Sequence, residues 1–242
     1  MSERVIGRIP VLECLRAGKR KAKRLYIARD AKGIENIRAA AGDVPVSVCS
    51  RDEIAALAPG TVHQGVVLEA EPLPLCDMDD WATRPFPESS VIVALDEIAD
   101  PHNFGAIVRS AAACGACGVV FCARRAAPVS PASVKSAAGA MEYIDLVRCA
   151  NLARGLATLK NAGFWTMALD ADAPQTIWDI DLTGRIVLVV GSEGRGVRKL
   201  VRETCDFAAR IPLTGPITSL NASVSLAAAL IECMRQRAAR SR

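Results

Sequence analysis

A chain of 242 residues, 51% hydrophobic with only 4% aromatics, holds material for one or two domains around a sizeable core. Its apolar runs fall short of the roughly 18 residues of a membrane span, and Met1-Ser2-Glu3-Arg4 opens no signal-peptide core, so a soluble cytoplasmic protein is expected. The net charge of +4 is modest but clustered: Arg16, Lys19, Arg20, Lys21, Lys23 and Arg24 form one group, and Arg235, Arg237, Arg240 and Arg242 another, which favours a polyanionic partner such as nucleic acid.

Residues 1–72 read as a small α/β domain. Pro10 in a first turn and Gly18 just past the end bracket a helix over Val11–Ala17. A strand is expected at Arg24–Ala28, a helix over 33–41 and a strand at Pro45–Cys49. Ser50-Arg51-Asp52-Glu53 is a capping box opening a helix over 51–57. Thr61–Gly65 then turns into the strand Val66–Leu68, and His63 reads as a turn histidine bonded to backbone rather than as a base or ligand. Residues 73–88 break the pattern: Pro74, Pro85 and Pro87, with Asp77, Asp79 and Asp80, predict an irregular linker.

The second domain, 89–242, opens with Val91–Leu95, an apolar run of the kind buried on both faces of a parallel sheet. Pro101–Gly105 reads as a turn into a helix over 106–114. A strand at 118–122 follows, then a helix capped by Ser130-Pro131 and ending at Gly139, and a strand at 144–147. Next come a helix over 152–161 with Asn151 as its cap, and strands at 164–169 and Ile186–Val190. A strand at Ala209–Pro212 and a helix over 222–234 capped by Asn221 complete the alternation, which predicts a parallel sheet with right-handed crossovers.

Nine cysteines, an odd number scattered through apolar segments, read as reduced core thiols. With only two histidines in the chain, Cys114-Gly115-Ala116-Cys117 is a weak zinc or redox signal, and no metal is expected. Gly191-Ser192-Glu193-Gly194-Arg195-Gly196 is glycine-rich, but its spacing is not that of a dinucleotide fold, which argues against a nicotinamide oxidoreductase. The informative residues are polar groups near strand ends: Asn103 and Arg109, Glu193, and Ser219 and Asn221. Singly, Arg109 reads as a surface ion-pair partner and the asparagines as helix caps. Together they deliver three loops to the carboxyl edge of one sheet, where open α/β folds bind ligands.

Asn103-x-Gly105-x-x-x-Arg109, Gly191-Ser192-Glu193-Gly194-x-Gly196 and Ile211-Pro212 followed by Ser219-Leu220-Asn221-x-Ser223 resemble the three signature motifs of the SpoU (TrmH) family. These are RNA ribose 2'-O-methyltransferases of the SPOUT superfamily. The arrangement is most similar to the RlmB-type branch, which acts on a guanosine of large-subunit (23S) rRNA. Gly7 onward and His63-Gln64-Gly65 resemble the family's L30-like substrate-binding domain. The resemblance implies a deep trefoil knot, a homodimer that completes the site, and S-adenosylmethionine held by Gly191, Gly196, Ile211 and Leu220, largely through backbone groups. Departures are mild: Leu213–Thr218 stands where relatives more often carry Met and small residues, and Ala222 where valine is usual.

The resemblance also implies catalytic roles for Arg109, Asn103, Glu193, Ser219 and Asn221. Glu193 is expected to orient Arg109 or its own loop, and Ser219 to join the same network. Arg109 is the family's proposed general base; because a guanidinium titrates above about 12, a clamp on the neighbouring phosphate is the alternative role. The cations at 16, 19, 20, 21, 23 and 24 would contact RNA phosphates, with few aromatics available for base stacking. The same chemistry on tRNA and a non-catalytic RNA-binding assembly factor are the competing readings.

Overall fold

Alternating apolar and polar residues build the first sheet. The computed structural model describes residues 2–122 and 129–240, and contacts divide the chain into two units: Met1–Pro74 with Ala138–Tyr143, and Leu75–Ala137 with Ile144–Arg242. In the first unit the order is β1 (Glu3–Ile6), α1 (Arg8–Ala17), β2 (Ala22–Ala28), α2 (Glu35–Ala41), β3 (Val46–Cys49), α3 (Arg51–Leu57) and β4 (Val66–Ala70). The sheet runs β1-β4-β2-β3, antiparallel except for the β2–β3 pair. Leu25 and Ile27 of β2, with Val5 and Leu68, pack with Val11 and Ile37 of the helices, while Ile54 of α3 packs with Ala28 and Val67 in a second cluster.

Local signals locate these elements well where a cap is present. Ser50 accepts from the Glu53 amide while the Glu53 carboxylate accepts from the Ser50 amide, so the expected capping box holds α3. Helix α1 starts three residues earlier than expected, after Gly7 at φ 96°, which places Pro10 inside its first turn. Strand β1 has no counterpart among the sequence expectations; four residues long, it is fixed by pairing with β4 across more than sixty intervening positions.

Arg20 is a correction. It was expected among the RNA-facing cations, yet its side chain is 5% exposed and pairs with Glu142 at 2.5 Å and Glu3 at 3.1 Å, both in the same unit. Burial opposes its charge, and the Glu142 carboxylate more than offsets this, holding the guanidinium pKa above its ordinary value. One ammonium cannot reproduce a fork that reaches two carboxylates and the Glu71 carbonyl. Arg20→Lys is therefore expected to cost about 1–2 kcal/mol of stability, read as a lower urea or thermal midpoint, with RNA affinity held. An unchanged midpoint with weakened RNA binding would return Arg20 to the RNA-facing set.

The second unit comprises β5 (Leu75–Asp77), α4 (Met78–Trp81), β6 (Val91–Asp96), α5 (Pro101–Ala113), β7 (Gly118–Cys122), α6 (Pro131–Ala137), β8 (Asp145–Cys149), α7 (Leu152–Asn161), β9 (Trp165–Leu169), β10 (Gln175–Thr176), β11 (Ile186–Gly191), α8 (Lys199–Thr204), β12 (Phe207–Arg210) and α9 (Ala222–Arg240). The eight strands are ordered β10-β12-β9-β11-β6-β7-β8-β5, with every pairing parallel. All six residues of β6 and all six of β11 are buried, as the apolar runs Val91–Leu95 and Ile186–Val190 require.

Several expectations shift here. The linker expected over 73–88 contains β5 and α4: Leu75–Asp77 pairs with β8 at the sheet edge, and Trp81, 1% exposed, anchors the segment in the core. Tertiary burial of one tryptophan outweighs the local proline and aspartate content. Helix α5 begins at Pro101 rather than at 106, because Asp100 caps the His102 and Asn103 amides and Pro101 needs no donor at the first position. Asn103 and Gly105 are thus helical. A side chain at Gly105 would put Cβ 2.4 Å from the Ser133 carbonyl oxygen of α6, so only glycine permits this helix contact. Strand β12 ends at Arg210, leaving Ile211 and Pro212 beyond it, and α9 runs to Arg240 instead of 234. Among the described residues no helix is long and apolar enough to cross a membrane.

Candidate active site

Parallel strands that end side by side expose their last carbonyls and following loops at one edge. The neighbouring strands β12, β9 and β11 do so here, and a cleft of about 450 Å³ lies over their ends. Its walls include Leu169–Asp172 after β9, Gly191–Gly196 after β11, Ile211 and Leu213 after β12, and Thr218–Ala222 leading into α9. That volume suits a cofactor-sized ligand, and apolar and polar groups alternate around it.

Two features shape the glycine loop. A Cβ on Gly191 would lie 2.0 Å from the Gly196 carbonyl carbon and 2.2 Å from the Val197 nitrogen, so two backbone runs touch where only glycine fits. The Gly196 amide donates to the Ser192 carbonyl at 2.9 Å, closing the loop, and Gly194 and Gly196 hold φ of 78° and 65°. Glu193 is carried on this loop.

Glu193 Oε1 accepts from Asn103 Nδ2 at 2.6 Å and from Asn221 Nδ2 at 2.5 Å, while Asn221 Nδ2 also reaches Asn103 Oδ1 at 3.1 Å. One carboxylate oxygen thereby joins the start of α5, the glycine loop and the start of α9. Asn221 caps α9 as expected, its Oδ1 accepting from the Ser223 amide at 2.8 Å and the Ser223 hydroxyl at 2.6 Å. Asn103 is 9% exposed, so its amide is oriented by these partners rather than by water.

The structure brings Gly191, Gly196, Ile211, Ser219 and Leu220 to the cleft together with Glu193 and Asn221. Two of the expected residues, Ser219 and Arg109, stand apart from the hydrogen-bonded network. Ser219 lines the cleft but makes no hydrogen bond with the Asn103–Glu193–Asn221 cluster; Ser223 takes that place. Arg109 is exposed, has no hydrogen bond or ion pair among the described residues, and does not meet Glu193. The reason is helical phase. Six residues along α5 turn the side chain by roughly 240° and advance it by roughly 9 Å from Asn103. Asp170 and Asp172 line the cleft and were not anticipated, although a polar turn after an apolar strand is the same signal that singled out Glu193. His63 behaves as a turn histidine, its Nδ1 accepting from the Gly65 amide at 3.0 Å.

Of the basic run, Arg16 pairs with Glu13 on α1, Lys19 is half-buried, and Lys21, Lys23 and Arg24 are exposed. The C-terminal cations are spent on their own chain. Arg235 grips Glu232, Arg237 donates to the Leu182 and Gly184 carbonyls, and Arg240 to the Thr183 hydroxyl; Arg242 lies outside the described residues.

An all-parallel α/β sheet with a ligand cleft over adjacent strand ends, and polar groups from three segments locked together beside it, defines an enzyme fold built for a small-molecule cofactor. The chain belongs to the SpoU rRNA methylase family: the model described by that name matches residues 90–231, and the RNA 2'-O ribose methyltransferase substrate-binding model matches residues 4–76. A relative in Mycolicibacterium vanbaalenii, described as an uncharacterized tRNA/rRNA methyltransferase, is 42% identical over 98% of this chain and 77% of its own length. The SpoU methyltransferase AviRb from Streptomyces viridochromogenes, solved with AdoMet, superposes with a TM-score of 0.81 at 27% identity, covering 98% of this chain and 91% of that one. An AdoMet-bound rRNA methyltransferase from Sinorhizobium meliloti gives 0.80 at 26% identity, covering 97% and 87%.

Proposed function

We propose that this chain transfers a methyl group from S-adenosylmethionine to a ribose 2'-hydroxyl of large-subunit (23S) rRNA, at a guanosine, and that it does so in the cytoplasm as a homodimer. The observation that carries the reading is the single Glu193 oxygen that ties Asn103 to Asn221 at the rim of the cleft. Exposed apolar residues on α9 and the loop before it support a second copy: Val224, Ile231 and Met234 are 51%, 58% and 46% exposed, and Ile217 68%. The family's deep trefoil knot is part of the proposal.

The cleft fits the donor chemically: backbone groups along Gly191–Gly196, apolar Ile211 and Leu220, and for hydroxyl or amino groups the carboxylates of Asp172 and of Asp170, which is held by Arg202. When bound, S-adenosylmethionine supplies an already activated methyl on a sulfonium. The protein's share is then alignment and charge. Backbone groups of Gly191, Gly196, Ile211 and Leu220 hold the donor, and Glu193 fixes Asn103 and Asn221, which position the ribose and the motif loops. Ser219 lines the donor side. Arg109 clamps the phosphate beside the target ribose and stabilises the developing alkoxide, and the hydroxyl proton passes to water.

The first unit grips RNA by phosphate contacts. Lys21, Lys23 and Arg24, exposed around the start of β2, are the working cations, with Arg16 and Lys19 at the margin. The pairing of β2 with β4 slips between Ala22 and Arg24, so Lys23 sits at a bulge where regular strand alternation is broken. Replacing Lys21, Lys23 and Arg24 together by alanine is expected to weaken RNA binding and to lower the slope of log K against log salt by about 1–2. An unchanged slope would remove these residues from the interface.

The substrate is tested by tritiated methyl transfer to unmodified large-subunit rRNA and tRNA transcripts side by side. Label in rRNA alone supports the proposal; label in tRNA alone keeps the chemistry and overturns the substrate. No label in either RNA, in a chain that also fails to bind S-adenosylhomocysteine, leaves the non-catalytic assembly factor.

A further inference from the structure

A buried carboxylate needs partners for both oxygens, and Asp96 finds them in a single residue. Asp96 ends β6 opposite Gly191 in the sheet register and is 1% exposed. Its Oδ2 accepts from the Arg198 backbone amide at 2.7 Å, and its Oδ1 from Arg198 Nε at 2.8 Å, with Nη2 at 2.6 Å. Arg198 Nη1 also lies 3.2 Å from Glu97, a non-glycine residue held at φ 57° in the left-handed region. The Asp96 carboxylate raises the Arg198 pKa above its ordinary value, the mark of a charge held by its partner.

The position of this pair is what matters. Arg198 lies two residues past Gly196, so the loop bearing Glu193 is fixed at one end by β11 and at the other by Asp96. The same strand end leads through the Asp100 cap into α5, which carries Asn103. Thus the glycine loop and the segment leading into α5, already joined by the Glu193–Asn103 bond, are fastened together a second time. Neither Asp96 nor Arg198 lines the cleft.

We propose that Asp96 and Arg198 are positioning residues that set the glycine loop for S-adenosylmethionine without touching it. The inference rests on the reading of the cleft as the methyl-donor site. It predicts that loosening the clasp lowers donor affinity through the loop and leaves the RNA grip of the first unit intact.

The test is calorimetric titration of S-adenosylhomocysteine into the unmodified 242-residue chain and into Arg198→Met, Arg198→Lys and Asp96→Asn, each checked for folding by its thermal melt. Arg198→Met is expected to weaken binding at least about tenfold, with RNA affinity unchanged. Arg198→Lys, which keeps the charge and the backbone contact, is expected to recover part of that loss, and it serves as the reporter if the methionine variant does not fold. Folded variants that bind as tightly as the unmodified chain, even with a lower melting temperature, overturn the clasp. An unmodified chain that binds no S-adenosylhomocysteine overturns the reading of the cleft, and the clasp with it.

Discussion

Arg109→Ala is expected to lower the turnover of methyl transfer about 10³-fold, roughly 4 kcal/mol of barrier, while S-adenosylhomocysteine binding stays within about twofold. Arg109 is exposed, carries no partner among the described residues, and does not line the cleft, so its loss leaves the donor pocket and the fold untouched. Under the proposed phosphate clamp, what is lost is a fixed positive charge offered to the RNA. Because the proposal passes the hydroxyl proton to water and not to a titrating side chain, the rate should be flat from about pH 7 to 9. A rate that rises tenfold per pH unit there would assign the proton to a titrating base and sink the clamp.

The second large effect concerns Glu193, and its two substitutions should differ. Both amide donors converge on one oxygen, Oε1, so Glu193→Gln keeps an acceptor in place and loses only the charge. Glu193→Ala removes the acceptor and leaves Asn103 and Asn221 joined by their own 3.1 Å contact alone. Charge-assisted bonds contribute about 1.5–3 kcal/mol each, discounted here because Glu193 is exposed. Steady-state kcat/KM is therefore expected to fall about 10²-fold in the alanine variant and less than about tenfold in the glutamine variant. Equal losses would mean that the carboxylate acts by its charge on a bound molecule and not by orienting the asparagines.

Much of this was legible in residues whose cause is local. The apolar runs of β6 and β11, the Ser50 capping box and the Asn151 cap each announce an element, since neighbours within four positions determine them. What escaped was settled at a distance. Arg20 stands in a run of cations, and nothing near it signals that Glu142, 122 residues away, takes it out of solvent. The segment around Leu75–Trp81 reads as a linker until Trp81 meets Gly118, where a Cβ would lie 2.6 Å from the indole ring. In the site, Asp100-Pro101 was a readable cap and first turn, and missing it placed Asn103 in a loop. The separation of Arg109 from Glu193 then follows from helical phase alone. Ser223 stands in the third motif, but its hydroxyl bond to Asn221 depends on how that cap is seated, which motif spacing does not show.

In the proposed reaction the cleft beside Glu193 delivers a methyl group to ribose oxygen. The most direct measurement is alkaline hydrolysis of large-subunit rRNA labelled by the purified chain and tritiated S-adenosylmethionine. Label recovered in alkali-resistant dinucleotides, and lost with Arg109→Ala, is the predicted result. Label recovered in mononucleotides would place the methyl on a base and contradict the account.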